Sequence, residues 1–266
     1  MTQVKGVIFD IDGTLTLNNK ALPRATDTIS HLRSMGIKMR FVTNTTGRMP
    51  EQLGVELRDL GFEIKDSEIL TSVGACVRFL NQHYPGKAGY LAIPEAIIGQ
   101  FSNIAQTTEN PEFVVMGDLD EEFNYDLLNR VFNYMRNGAQ LITFHRNRFF
   151  FREGKTWLDS GAFTLALEQA CEQKAIVTGK PAPQMFLGAL QSMGLTEQEV
   201  IVVGDDVTSD ILGATEAGLK GFLVTTGKFT PEQIPANELS SECLIRNISD
   251  VIALCKRGFG KHEAFI

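Results

Sequence analysis

Two acids, two residues apart, follow an apolar run in Phe9-Asp10-Ile11-Asp12-Gly13-Thr14. In open α/β sheets ligands collect at the carboxyl ends of strands, where these acids are expected to sit. Gly13 permits the tight turn that brings backbone close to a ligand. Alone, the same residues also read as a solvated Asp-Gly turn. A second apolar run, Val200-Ile201-Val202-Val203-Gly204, leads into Asp205-Asp206, with Asp210 four residues on. Asp210 by itself could be a helix N-cap, but the adjacent pair is harder to explain that way. Four or five acids at one sheet edge repel each other unless a cation neutralises them, and hard oxygen ligands suit Mg²⁺.

Two further stretches supply neutral and basic groups. Phe41-Val42-Thr43-Asn44-Thr45-Thr46-Gly47 ends an apolar run in hydroxyls, an amide and a glycine. Such a turn can donate several hydrogen bonds to an anion, or be an ordinary polar connection. Gly179-Lys180-Pro181-Ala182-Pro183 places one lysine between a short apolar run and a helical pattern. The middle of the chain is most polar and cationic at His145, Arg146, Asn147 and Arg148.

The elements that must position these residues alternate from end to end. Strands are predicted over 4–9, 37–42, 88–93, 113–116, 141–144, 149–151, 175–177, 200–203 and 222–224. Helical spacing of apolar residues is predicted over 25–35, 53–60, 73–82, 94–104, 127–135, 162–171, 185–190, 209–217 and 251–255. That alternation argues for α/β layering with parallel strands, because a helix usually fills each parallel crossover. The pattern pauses at Tyr84-Pro85-Gly86 and restarts. The tail at 258–266 is expected to be loosely held.

Composition narrows the function. The 266 residues carry a formal net charge of −7, the wrong sign for gripping a duplex, so nucleic acid is not the expected partner. No apolar run approaches the roughly 20 residues that cross a bilayer, and no signal-peptide pattern opens the chain. Cys76, Cys171, Cys243 and Cys255 lie far apart without a Cys-x-x-Cys, as expected of reduced thiols in a cytoplasmic protein. Gly154-Lys155-Thr156 ends like a phosphate loop, but Phe149 stands where that loop needs glycine.

Asp-x-Asp-Gly-Thr, then Thr-Asn, then Lys, then Gly-Asp-Asp-x₃-Asp resembles, in order and spacing, the four motifs of the haloacid dehalogenase superfamily. The resemblance spans essentially the whole chain. It implies a Rossmann-like parallel-sheet core, and the pause at 84–86 with all four motifs outside the middle segment sets that core at residues 1–84 and 175–266. The long segment between the Thr-Asn and Lys motifs looks like an inserted C2-type cap at 85–174, as in the type IIA branch.

The resemblance also implies a phosphatase acting on small phosphorylated metabolites through an aspartyl-phosphate. Asp10 would be the nucleophile and Asp12 the acid and then the base. Mg²⁺ would be held by Asp10, the main-chain carbonyl of Asp12 and Asp205. Lys180 and the turn Thr43, Asn44 and Thr45 would grip phosphate oxygens, with Asp210 orienting Lys180. Asp206 either binds metal through water or stands behind the ligands. His145 and Arg146, with Arg148, would read the leaving group from the cap, or simply form a solvated hairpin with a structural histidine. Caps of this size in the resembling family often take part in homodimers. Alternatives on the same residues are a phosphotransferase or mutase, a phospho-Asp signalling module without turnover, and a carbon–halogen hydrolase. Asp12 argues against the last, because that chemistry needs no leaving-group acid.

Overall fold

The structure is a computed structural model that describes residues 3–152, 155–227 and 243–257. The tail expected to be loose, 258–266, lies outside the described residues. The chain begins with β1 (Gly6–Asp10), a small hairpin of β2 (Thr16–Leu17) and β3 (Lys20–Ala21), and α1 (Ala25–Ser34). Then come β4 (Lys38–Thr43), α2 (Pro50–Asp59), β5 (Ile69–Thr71) and α3 (Ser72–His83). The middle holds β6 (Ala88–Ala92), β7 (Ala105–Gln106), β8 (Phe113–Met116), α4 (Tyr125–Arg136) and β9 (Gln140–Thr143). It continues with β10 (Phe149–Arg152), β11 (Lys155–Leu158), α5 (Ser160–Cys171) and β12 (Ile176–Val177). The last part is α6 (Pro183–Met193), β13 (Val200–Gly204), α7 (Leu212–Glu216), β14 (Lys220–Val224), β15 (Leu244–Ile245) and α8 (Asp250–Arg257).

Two compact units result. The first takes the described residues of Met1–Thr43, Pro50–Leu70 and Lys180–Ile266; the second takes Asn44–Met49 and Thr71–Gly179. In the first unit the sheet order is β15-β14-β13-β1-β4-β5. The pairings from β15 across to β4 are parallel. Every residue of β1 and β13 is buried, because helices cover both faces and successive side chains point opposite ways. Val7, Phe9, Ile201 and Val203 pack with Ile29, Leu32, Leu57 and Val251 from α1, α2 and α8. Ile8, Val42, Val200 and Val202 pack with Met185, Phe186 and Leu190 of α6 on the other face. Fully burying an aromatic such as Phe9 or Phe186 contributes about 1.5–3 kcal/mol.

The second unit repeats the plan on a smaller scale. Its sheet order is β12-β9-β8-β6-β7, all parallel. Phe113, Val115 and Ile142 pack on Val73, Cys76 and Leu80 of α3, and Val114, Met116 and Leu141 on Val131 and Met135 of α4. Helix α3 therefore groups with the second unit. The division falls at 70/71 and 179/180, with residues 44–49 also in the second unit, whereas the pause and the placement of the motifs set it at 84/85 and 174/175. The pause marks the end of a helix; which sheet that helix serves is set by its apolar face.

Local differences have local causes. The helix predicted over 94–104 is a 3₁₀ helix, Glu95–Phe101, opened by Pro94 and carrying Gly99, a poor α-helix former. The helix predicted from 209 begins as a π turn, Val207–Ile211, and becomes α-helical only at Leu212. Strands β5, β7, β11 and β15 span two to four residues, too short to show a period. All four cysteines are free thiols, and burial pushes Cys76 up to about 12. Among the described residues no helix is long and apolar enough to cross a membrane.

Candidate active site

Asp10 ends β1 and Asp205 follows β13 directly. The pairing of Phe9 with Val203 puts Asp10 level with Gly204, so the two acids leave adjacent strands one residue apart. Lys180 Nζ donates to Asp10 Oδ1 at 2.5 Å and to Asp210 Oδ1 at 2.7 Å. The Asp206 N–H donates to Asp210 Oδ2 at 3.1 Å, so both oxygens of Asp210 are engaged in holding Lys180 and the turn. The turn itself is pinned. A Cβ at Gly204 would stand 2.3 Å from Asp210 Cγ, and one at Gly213 would stand 2.7 Å from the Pro181 carbonyl oxygen.

Asp206 is a cap. Its Oδ1 accepts from the Thr208 N–H at 2.8 Å, the Thr208 hydroxyl at 2.6 Å and the Ser209 N–H at 3.2 Å. The sequence left that task open for Asp210, which it also expected to orient Lys180. The π turn moves the helix start back by one turn, so Asp206 takes it and Asp210 points inward instead.

Asp10, Asp205, Asp206 and Asp210 are all buried, with Lys180 as the ammonium among them. Burial pushes the Asp10 carboxyl well above the ordinary carboxylate range. Lys180 opposes that, while Asp210 and Asp205 add to it. Burial also raises Asp210, against the pull of Lys180. For Lys180 burial acts downward, but Asp10 and Asp210 outweigh it and the net shift is upward, so it remains a cation. One ammonium among several carboxylates leaves a deficit of positive charge.

A divalent cation fits this deficit. Among the described residues Asp10 Oδ2 is buried without a hydrogen-bond partner. Ligand oxygens of Asp10, Asp205 and Asp210 lie within 4.8 Å of one another. An all-oxygen donor set of this kind suits Mg²⁺ better than a softer metal. The surrounding backbone leaves Asp205 its space only because glycines face it. A Cβ at Gly13 would come within 2.2 Å of Asp205 Oδ2, and one at Gly227 within 2.0 Å. Gly13 also has φ +96°, which side chains rarely adopt. The Thr226 hydroxyl donates to the Gly13 carbonyl at 2.8 Å and ties the two loops together. Sequence reasoning misses Thr226 and Gly227, although the polar pair and glycine after β14 carry the same strand-end signature as Gly13.

Asp12 stands at the mouth of this turn. It is exposed, and the Thr16 hydroxyl donates to its Oδ1 at 3.1 Å. Thr43 is the buried last residue of β4, beside the strand that carries Asp10. Asn44 and Thr45 are half-buried and group with the second unit.

His145 and Arg146 also belong to the second unit. His145 is 2% exposed, and its Nε2 lies 3.0 Å from Asp118 Oδ2. The Arg146 guanidinium is paired with buried Glu168. Arg148 is exposed. The structure thus surrounds His145 with two acids, Asp118 and Asp159, that sequence reasoning does not single out. The signal was present: β8 runs into Gly117-Asp118 as β13 runs into Gly204-Asp205.

Comparison with known proteins is consistent across the chain. Residues 7–104 match a family model described as haloacid dehalogenase-like hydrolase. Residues 177–251 match one described as HAD-hydrolase-like. The chain is 38% identical over 226 residues to haloacid dehalogenase-like hydrolase domain-containing protein 2 of Pongo abelii, covering 85% of this chain and 86% of that one. It is 31% identical over 254 residues to phospholysine phosphohistidine inorganic pyrophosphate phosphatase of Xenopus laevis, covering 95% and 92%. Among solved structures, p-nitrophenyl phosphatase from Archaeoglobus fulgidus superposes with TM-score 0.87 at 25% identity, covering 94% of this chain and 99% of that one.

Proposed function

We propose, from the premise that the chain belongs to the haloacid dehalogenase-like hydrolase family and is a phosphatase of its type IIA branch, that it is a Mg²⁺-dependent, cytoplasmic enzyme. It removes phosphate from small phosphorylated metabolites through an aspartyl-phosphate on Asp10. The observation that carries this reading is the buried Asp10 carboxyl, with Oδ1 on Lys180 and Oδ2 without a donor.

In the first step an Asp10 oxygen forms a bond to phosphorus while the bond to the leaving oxygen breaks. Asp12 gives its proton to that oxygen, for which its exposed position at the turn suits it. Asp12, now a carboxylate, takes a proton from water as the water attacks phosphorus, and Asp10 is released with inorganic phosphate. Lys180 keeps Asp10 oriented and, with Thr43, Asn44 and Thr45, offers donors to the phosphate oxygens. Asp210 holds Lys180. Asp10, the Asp12 carbonyl and Asp205 would hold Mg²⁺, which when bound screens the carboxylate from the phosphate charge.

The first unit serves as the catalytic core and the second as the cap that selects the leaving group. In the stretch 145–148, His145 and Arg146 are engaged by acids of their own unit. Their part in selection is therefore to shape the loop that presents exposed Arg148. The test is release of inorganic phosphate from p-nitrophenyl phosphate. Steady turnover with Mg²⁺ that stops on adding EDTA is expected. A single stoichiometric burst would instead indicate a signalling module, and full activity in metal-free buffer would remove the metal from the reading.

A further inference from the structure

The second unit contains a polar hub around half-buried Asp118 that the reaction scheme leaves unused. Asp118 follows β8 at the carboxyl end of its strand, and three separate segments converge on it. The Thr46 hydroxyl and His145 Nε2 reach Oδ2, and the Ser160 hydroxyl reaches Oδ1. These partners come from the turn after β4, the loop after β9 and the start of α5. Burial opposes the charge on Asp118, yet His145, Ser160 and Thr46 overcome it and hold the carboxyl down to about 2. Asp118 is therefore a fixed anion with charge-assisted bonds to its neighbours.

Thr46 gives the hub its consequence. It is 4% exposed and follows Asn44 and Thr45 in the chain. The same turn is gripped from another side: a Cβ at Gly179 would stand 2.6 Å from Asn44 Oδ1, so Asn44 lies close against that backbone. Ser72 Oγ also reaches the Asn44 carbonyl, at 3.4 Å. A turn meant to present donors to an anion must be rigid, because donors that need ordering lose affinity.

We infer that Asp118 is a positioning residue for phosphate: through Thr46 it holds the turn of Asn44 and Thr45 in its binding conformation. The inference rests on the reading of that turn as phosphate-binding. It extends that reading to a residue after a different strand that touches no substrate.

The test compares Thr46→Val, which keeps the shape and removes the hydroxyl, with Thr46→Ser, which keeps the hydroxyl, and with Asp118→Asn. The probe is inorganic phosphate in Mg²⁺ buffer, with Kd by calorimetry, alongside KM and kcat for p-nitrophenyl phosphate. Thr46→Val and Asp118→Asn are expected to weaken phosphate and raise KM by about tenfold, the size of one lost charge-assisted bond. Their kcat should stay within about threefold, and Thr46→Ser should resemble the parent. The double variant should be no worse than Asp118→Asn alone, since that change already cuts the Thr46 link. If Asp118→Asn does not fold, the Thr46 pair decides. Unchanged phosphate affinity in Thr46→Val, whatever its melting temperature, overturns the inference and leaves the hub a fold clamp. A parent protein that turns over p-nitrophenyl phosphate beside such a variant would refute only this inference. A parent protein that neither binds phosphate nor releases it would refute the phosphatase reading and the inference together.

Discussion

The molecule holds two clusters around an acid that directly follows a parallel strand, buried Asp205 after β13 and half-buried Asp118 after β8, and their electrostatics are opposite. At Asp10 and Asp210 burial outweighs the ammonium of Lys180, and among the described residues Asp10 Oδ2 has no donor. At Asp118 the donors outweigh burial, and both oxygens are engaged. In each, a Gly-Asp pair closes a parallel strand, Gly204-Asp205 and Gly117-Asp118. The difference is the ratio of donors to carboxylates. A cluster short of positive charge has room for a cation, whereas a satisfied one holds segments together.

The sharpest way to break this contrast is Asp10→Asn. The amide is nearly isosteric but cannot form the acyl-phosphate, so kcat should fall by at least about a thousandfold with the fold intact. Retention of a tenth of the parent kcat would end the covalent reading. Next comes Lys180→Met, which leaves Asp10 and Asp210 buried without their cation. A loss of about 3–5 kcal/mol is expected near neutral pH, read by urea denaturation. The raised carboxyls of Asp10 and Asp210 bind protons in the fold that the unfolded chain has released. Stability of the variant should therefore improve as pH falls; a loss independent of pH would show that the carboxylates are not the source.

The smallest effect belongs to Asp159, beside the satisfied hub. Burial, reinforced by Asp118, raises it from 3.8 to about 6 despite the pull of His145. The folded state then holds a proton that the unfolded state has lost. Stability contributed by that proton is present below about pH 4 and is lost as pH rises towards 6. Asp159→Asn keeps an acceptor for the Ser160 N–H, which Asp159 Oδ1 accepts at 2.8 Å. It should be more stable than the parent by about 1–2 kcal/mol at pH 7.5 and equal to it at pH 4. A destabilised variant at pH 7.5 would mean that the Asp159 charge supports His145 more than it costs.

Much of the first unit is legible in the amino-acid sequence. Asp10 and Asp205 follow fully apolar strands, and a parallel sheet covered on both faces requires such strands to end where the polar residues begin. Lys180, between a short strand and a Pro-opened helix, is legible for the same reason. The role of Asp206 is not: whether an acid caps a turn or faces inward depends on one residue of register in the π turn. His145 and Arg146 stand out as charge in a polar loop, but charge in a sequence carries no direction. Their partners Asp118 and Glu168 lie 27 and 22 residues away.

The sequence by itself determined which residues could do chemistry, that the layers alternate, and that several acids must share a sheet edge. Periodicity and strand-end glycines are local properties, and local properties survive in one dimension. Only the tertiary structure decided that α3 serves the second sheet, that Thr226 and Gly227 close around Asp205, and that Asp118 is satisfied while Asp10 is not. Those outcomes depend on which donors arrive from distant segments. A buried carboxylate becomes a reactive group or a structural one according to that count.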